Sequence, residues 1–242
     1  MIPKKIHYCW FGRGEKPESV VRAIEGWRKV LPGYEVTEWN EDNFNFSEMA
    51  YTREAYHSGN YAFVADVCRL KALYEHGGVY LDTDIEVLRP FDDYLHCKSF
   101  LGYENQQTAW IGTGVIGAEK ECPWIKEFLD FYAHRHFINA FGHTVRTPNT
   151  KLLTLRLMPG LPQEIRPEIF DVDVFCAKDV ATREVRVTER TVCVHHFACS
   201  WRRKRRTLGV RIRLICRGLL IRYFMRGKGQ RKQTTKRKTD TV

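Results

Sequence analysis

The chain has 242 residues, 43% of them hydrophobic and 13% aromatic, with eight cysteines and a formal net charge of +10. That length and apolar content exclude a disordered chain and suffice for one sizeable core. The cysteines are scattered among apolar neighbours with no C-x-x-C pair, a pattern of buried reduced thiols that fits neither a disulfide framework nor a zinc site.

In chain order, Met1–Phe11 is too short an apolar stretch for a secretory leader and leads into a strand at Ile6–Phe11 that ends in an aromatic, glycine-containing loop. Pro17–Val30 reads as a helix, with Pro17 near its first turn and Val20, Ile24 and Trp27 along one face. Tyr34–Trp39 alternates like a second strand, so the chain opens with a β-α-β unit, as nucleotide-binding α/β sheets commonly do. Residues 40–60 are polar and aromatic and read as short helices and loops over a cleft.

Tyr61–Pro90 is the organising stretch. Phe63, Val67, Leu70, Leu73 and Tyr74 recur at helical spacing, Gly77-Gly78 stops the helix, and Val79–Leu81 forms a buried strand. Asp82 and Asp84 follow at the strand's end, where open α/β sheets place ligands. Carboxylates two residues apart on a continuing strand lie on one side and repel, so the pair calls for a cation, Mn2+ or Mg2+ by its oxygen ligands, or else is a surface turn. Asp66 lies beside the helix's apolar face, with Arg69 three residues on. The two are an ordinary ion pair or point into the cleft of Asp82.

Phe100–Tyr103 reads as a strand, and Ala109–Ala118 as another containing Gly112, Gly114 and Gly117. Trp124–His136 is a helix with Ile125, Phe128, Leu129 and Tyr132 inward, and Ile165–Phe175 an edge strand. In Val192–Trp201, alternation puts His195 and Phe197 on one side and Val194 and His196 on the other. At most one histidine therefore faces a cleft.

Residues 202–242 hold 16 Lys and Arg against the single Asp240, so the body is mildly acidic and the tail strongly basic. Leu208, Ile212, Ile215, Leu219 and Phe224 interleave with Arg211, Arg213, Arg217 and Arg222 as a basic amphipathic helix. That pattern lies flat on an anionic membrane surface through residues 202–226. Nucleic acid would satisfy the charge but has no use for the apolar face.

Ala65-Asp66-x-x-Arg69 followed by Gly77-Gly78-x-Tyr80-Leu81-Asp82-x-Asp84 resembles the core signature of glycosyltransferase family 32, which is similar in turn to the glucosylating toxin domains. Residues 2–12 resemble its opening strand and His195-His196-Phe197-x-x-Ser200-Trp201 its closing motif. The Gly-Pro of the family is replaced by Arg146-Thr147-Pro148-Asn149. The resemblance implies a single GT-A-like α/β domain with a mixed central sheet over residues 1–201, followed by the basic tail, 202–242. It implies a retaining, Mn2+- or Mg2+-dependent transferase that moves a sugar from a UDP-sugar, or a GDP-sugar, to a glycan or lipid-linked acceptor. Capsule or lipopolysaccharide synthesis on the inner, cytoplasmic face of the membrane is the expected setting; a basic nucleic-acid-binding protein is the alternative. For the site it implies Asp66, Arg69, Asp82 and Asp84 as catalytic, Trp10 and Tyr8 with Asp82 at the nucleotide, His196, Ser200 and Trp201 at the diphosphate, and Asp82, Asp84, His196 and Ser200 as the set from which metal contacts are drawn.

Overall fold

The structure is a computed structural model that describes residues 1–105 and 109–198. Its strands are β1 (Lys5–Cys9), β2 (Glu35–Trp39), β3 (Gly78–Leu81), β4 (Ile85–Val87), β5 (Ser99–Asn105), β6 (Trp110–Ile111), β7 (Val115–Ala118), β8 (Glu168–Phe170) and β9 (Cys193–His195). The central sheet runs β2-β1-β3-β7-β5-β6, with β8 beside β5. β1 is parallel to β2 and β3, β7 is antiparallel to β3 and β5, and β8 is parallel to β5, which makes the sheet mixed. β4 and β9 form a separate antiparallel ribbon.

Two cores flank the sheet. On one side lies α1 (Glu18–Val30), which buries Val20, Ile24 and Trp27. The indole N–H of Trp27 donates to the Ile85 carbonyl at 2.8 Å and so fixes the start of the ribbon. On the other side lie α2 (Ala50–His57), α3 (Tyr61–His76) and α4 (Pro123–Ala133). α3 is enclosed more completely than a one-faced helix, since Val64, Asp66, Cys68, Arg69 and Ala72 are buried along with the expected apolar stripe. The cause is packing on three sides, by the sheet and by the two neighbouring helices. Gly77 and Gly78 have φ of +63° and +115°, and a Cβ on Gly78 would lie 2.7 Å from the Lys5 carbonyl oxygen. The helix-to-strand junction therefore needs glycine twice.

Two expectations change. Ala109–Ala118 is two short strands, because the chain breaks at 112–114 to cross from the β5 hairpin to β3. Ile165–Phe175 gives only the three-residue β8, and a helical turn, Val172–Phe175, takes the rest. There Phe175 stacks on Phe100 at 5.1 Å, burying apolar rings that an edge strand would leave half exposed. Cys9, Cys68, Cys97, Cys122, Cys176 and Cys193 are free and buried. Among the described residues no helix is long and apolar enough to cross a membrane.

His7 on β1 is 1% exposed. Trp39 donates its indole N–H to Nδ1 at 3.2 Å, so Nε2 carries the proton and donates to the Gly77 carbonyl at 2.8 Å. Burial pushes the imidazole down to about 4 from 6.5. A neutral His that folding makes harder to protonate leaves stability intact above pH 6.5 and lowers it as pH falls toward 4. Urea unfolding is expected to show a loss of about 3 kcal/mol across that window, at ~1.4 kcal/mol per pKa unit. A His7→Gln variant should lack that share of the slope, whatever its stability at neutral pH.

Candidate active site

The Asp82–Asp84 segment is a tight turn, not a continuing strand. Asp82 N–H donates to the Gly114 carbonyl at 2.8 Å and Ile85 N–H donates back to the Asp82 carbonyl at 3.0 Å. The two carboxylates are thus gathered by a reversal of the chain. Tyr80 donates its hydroxyl to Asp82 Oδ1 at 2.9 Å. Gly114 lies in tight contact at the crossing, where a Cβ would stand 3.2 Å from both Asp82 Oδ2 and the His195 ring.

The histidine that arrives is His195. β9 pairs with β4 in the register Ile85↔His195, which turns His195 toward the aspartates and sends His196 the other way. His195 Nε2 lies 3.3 Å from Asp84 Oδ1. Ligand atoms of Asp82, Asp84 and His195 all fall within 4.8 Å of one another. His196, the residue selected from the closing motif, instead bonds Glu86 at 2.8 Å on the exposed face, as strand alternation requires. Ser200 and Trp201 lie outside the described residues. Residues 196–198 are held at the turn, since Ala198 N–H donates to Asp84 Oδ2 at 2.7 Å and His196 N–H to the Asp84 carbonyl at 3.0 Å.

Burial alone would lower the His195 pKa, but Asp84 and Cys176 outweigh it and hold the imidazole well above its ordinary value. Burial alone would raise Asp84, yet His195 and the Ala198 N–H hold it low. The His195 imidazole and the Asp84 carboxylate thus stabilise each other's charged forms at a place where a divalent cation could stand instead of the imidazole's proton. This donor set, mostly hard oxygen with one nitrogen, fits Mn2+ or Mg2+.

Behind the turn, Arg69 sits 3.0 Å from Asp66 and 3.3 Å from Asp82, donates to the Thr113 carbonyl at 2.5 Å, and covers the Tyr80 ring at 4.5 Å. Asp66 and Arg69 are 7% and 5% exposed, so their polar groups bind one another and Asp82, with little surface left for a ligand. Burial pushes the Asp66 carboxyl up to about 7, against the pull of Arg69 and with the Asp82 charge adding to the rise.

At the nucleotide side, Tyr8 is 4% exposed, packs edge-on against Trp27 and donates to Glu38 Oε2 at 2.6 Å; it is a core residue. Its place inward on β1 follows from alternation with His7 and Cys9. Trp10, just beyond β1, is half-buried and donates its indole N–H to the Gly14 carbonyl at 2.7 Å, leaving ring surface at the loop.

One group has no signal in the local sequence. Glu104, near the end of β5, shares a narrow pocket with Gly112, Gly114, Phe175, Cys176 and His195. Burial holds its carboxyl above the usual range, with Asp82 and Asp84 adding to the rise against His195.

A mixed sheet that opens β-α-β and presents an Asp-x-Asp turn at the end of β3 is the GT-A type of α/β fold. The crystal structure of a glycosyltransferase involved in the glycosylation of the major capsid of PBCV-1 shares that fold, with a TM-score of 0.51 at 13% identity over 81% of this chain and 95% of the other. Residues 17–101 match the family described as glycosyltransferase sugar-binding region containing DXD motif. Inositol phosphoceramide mannosyltransferase 3 of Schizosaccharomyces pombe is 31% identical over 132 residues, 53% of this chain and 36% of that protein. The uncharacterized glycosyltransferase L373 of Acanthamoeba polyphaga mimivirus is 28% identical over 163 residues, 63% of each chain. The match thus spans about a third of the yeast relative's length and under two thirds of the viral one's.

Proposed function

We propose that the chain is a metal-dependent, retaining glycosyltransferase. Its donor is a nucleotide-diphosphate sugar, a UDP-sugar before a GDP-sugar, and its acceptor a hydroxyl of a glycan or lipid-linked glycan in surface polysaccharide synthesis. The observation that carries this reading is the convergence of Asp82, Asp84 and His195 on the turn after β3. Mn2+ or Mg2+ held by these three would supply positive charge to the diphosphate leaving group. Arg69 and Tyr80 fix the Asp82 carboxylate in place, and Trp10 offers a π face for the base. Asp84 also holds Ala198 by its N–H.

A lipid-linked acceptor suits the yeast relative, whose name makes it a mannosyltransferase of a phosphoceramide. It also suits the basic apolar tail, which would hold residues 202–226 on an anionic inner membrane face. A nucleic-acid-binding protein with a structural Asp-x-Asp remains the rival, and a dependence on Mn2+ separates the two.

The test is thermal unfolding of the full chain with UDP or GDP, with and without Mn2+. A nucleotide at 100 times its Kd stabilises by about 2.7 kcal/mol, which for this size raises Tm by about 5–10 °C. That rise is expected for one nucleotide and only with the metal. No metal-dependent rise with either nucleotide in a folded sample would overturn the reading.

A further inference from the structure

Between Asp130 and Glu164 the chain carries no acidic residue, although Arg135, Arg146, Lys151 and Arg156 fall there together with three histidines. In a body that is mildly acidic as a whole, this stretch stands apart. Asp130, at its start, is paired with Lys126. Glu54 on α2 packs against the stretch but is 8% exposed and turned inward, accepting the Ile138 N–H at 2.9 Å and bonding His136 at 2.7 Å.

The stretch begins as a tight hairpin. Ile138 and Thr144 form an antiparallel bridge, and Asn139 Oδ1 accepts the N–H groups of Phe141 and His143 at 3.0 and 2.9 Å. Gly142, at φ +79°, closes the turn by donating its N–H to the Asn139 carbonyl. The backbone thus fixes Phe141 at the apex, 81% exposed, more than any other Phe, Tyr or Trp among the described residues. Beyond Val145 the chain enters α5 (Asn149–Leu152), which runs into a wider helical turn, Leu153–Leu157. Leu152, Leu153 and Leu157 face the core, whereas Lys151, Leu155 and Arg156, at helical spacing, are exposed, Leu155 by 52%. The outward face is therefore apolar and basic. Its inward side is bonded to the break between β6 and β7: Thr150 Oγ1 lies 3.5 Å from Thr113 Oγ1, and Thr154 Oγ1 accepts the Ile111 N–H at 3.0 Å. The Thr113 carbonyl also takes the Arg69 guanidinium, so this face and the Asp82 turn share one support.

We propose that the Phe141 hairpin and the Lys151–Arg156 face dock on an anionic lipid bilayer, with Phe141 and Leu155 entering the interface and the basic side chains meeting lipid phosphates. The charge selects an anionic partner. The apolar side chains select a bilayer over nucleic acid, because a phosphate backbone gives Phe141 and Leu155 nothing to contact and the acyl boundary does. Val180, Val185 and Val187 are exposed as well, but Asp179, Glu184 and Glu189 stand among them, and an anionic surface repels acids. The docking goes beyond the transferase reading and does not need it. Its consequence for the acceptor rests on that reading: a docked face that carries the support of the Asp82 turn places transfer at the bilayer, where a lipid-linked hydroxyl is presented.

The test is co-sedimentation of the full chain with vesicles of equal parts phosphatidylcholine and phosphatidylglycerol, beside binding to double-stranded DNA at the same ionic strength. The tail, residues 202–242, is the same in every variant. Phe141→Ser is expected to weaken vesicle binding about tenfold and to leave DNA binding unchanged, and Phe141→Trp to bind vesicles as tightly as wild type. Lys151→Gln combined with Arg156→Gln should weaken vesicle binding about 25-fold. Each variant should unfold within about 2 °C of wild type, since the side chains replaced are exposed. Wild type that stays in solution, or vesicle binding within about twofold of wild type by Phe141→Ser or by the Lys151 and Arg156 double variant, would overturn the docking. So would a loss in Phe141→Ser that is equal on vesicles and DNA, or one that Phe141→Trp shares. These readouts use neither donor nor metal. Failure here is therefore distinct from a missing Mn2+-dependent nucleotide shift, which concerns the transferase reading alone.

Discussion

Asp84→Asn is expected to lower transfer on the order of 1,000-fold while leaving the protein folded, because one carboxylate has two separable duties. Its Oδ1 faces His195 at 3.3 Å and its Oδ2 accepts the Ala198 N–H at 2.7 Å. Asparagine keeps the shape and one acceptor oxygen, so much of the clasp on residues 196–198 survives. The backbone bond from His196 N–H to the Asp84 carbonyl does not involve the side chain. The structural cost is then one charge-assisted bond, under about 3 kcal/mol. What disappears is the negative charge that would share a cation with Asp82 and His195. Donor turnover and the Mn2+-dependent nucleotide shift should fall together, while the unfolding midpoint without ligand drops by no more than about 12 °C and the protein stays folded at 25 °C. Turnover within about threefold of wild type would sink the assignment of the turn as the metal site.

Arg69→Met carries the second large effect, and it acts on stability. Arg69 neutralises Asp66 and Asp82 together, and all three lie at the junction of α3 with β3. Removing it leaves Asp66, 7% exposed, without a countercharge, a change that typically costs about 3–5 kcal/mol. Tm should drop by about 6–20 °C. The pH dependence identifies the cause. The Asp66 carboxyl already sits at about 7, above its unfolded value, so the native state holds the proton longer and stability declines as pH rises through that interval. Without Arg69 the native pKa climbs further, so the variant's deficit in urea unfolding should be larger at pH 8 than at pH 5.5. Adding Asp66→Asn should recover part of the loss, since the double variant has no buried charge to strand. A deficit that is independent of pH would show that lost packing over the Tyr80 ring, and not the unpaired carboxylate, is the cause.

Much of this architecture is legible locally. The β-α-β opening, the long helix, the Gly77-Gly78 stop and the placement of Asp82 and Asp84 just past a buried strand all follow from periodicity and glycine conformation. Trp124, Ile125, Phe128, Leu129 and Tyr132 turn inward on α4 for the same reason. Asp66 stands out in sequence as a carboxylate beside an apolar face, though only the fold shows that Arg69 spans both it and Asp82. Tyr8 went the other way: an aromatic on the first strand suggested a base contact, and alternation placed it in the core against Trp27.

By itself the sequence determined the elements and where the acidic pair falls, because helical period, strand alternation and glycine's freedom at positive φ act over a few neighbouring residues. Only the tertiary structure decided which side chains meet that pair. His195 rather than His196 faces it because a three-residue strand pairs with β4 in one register, and a slip of one residue would exchange them. Glu104 reaches the same pocket because the chain breaks between β6 and β7 and crosses the sheet on glycines. Both outcomes depend on pairings between segments distant in the chain, and no local preference encodes these.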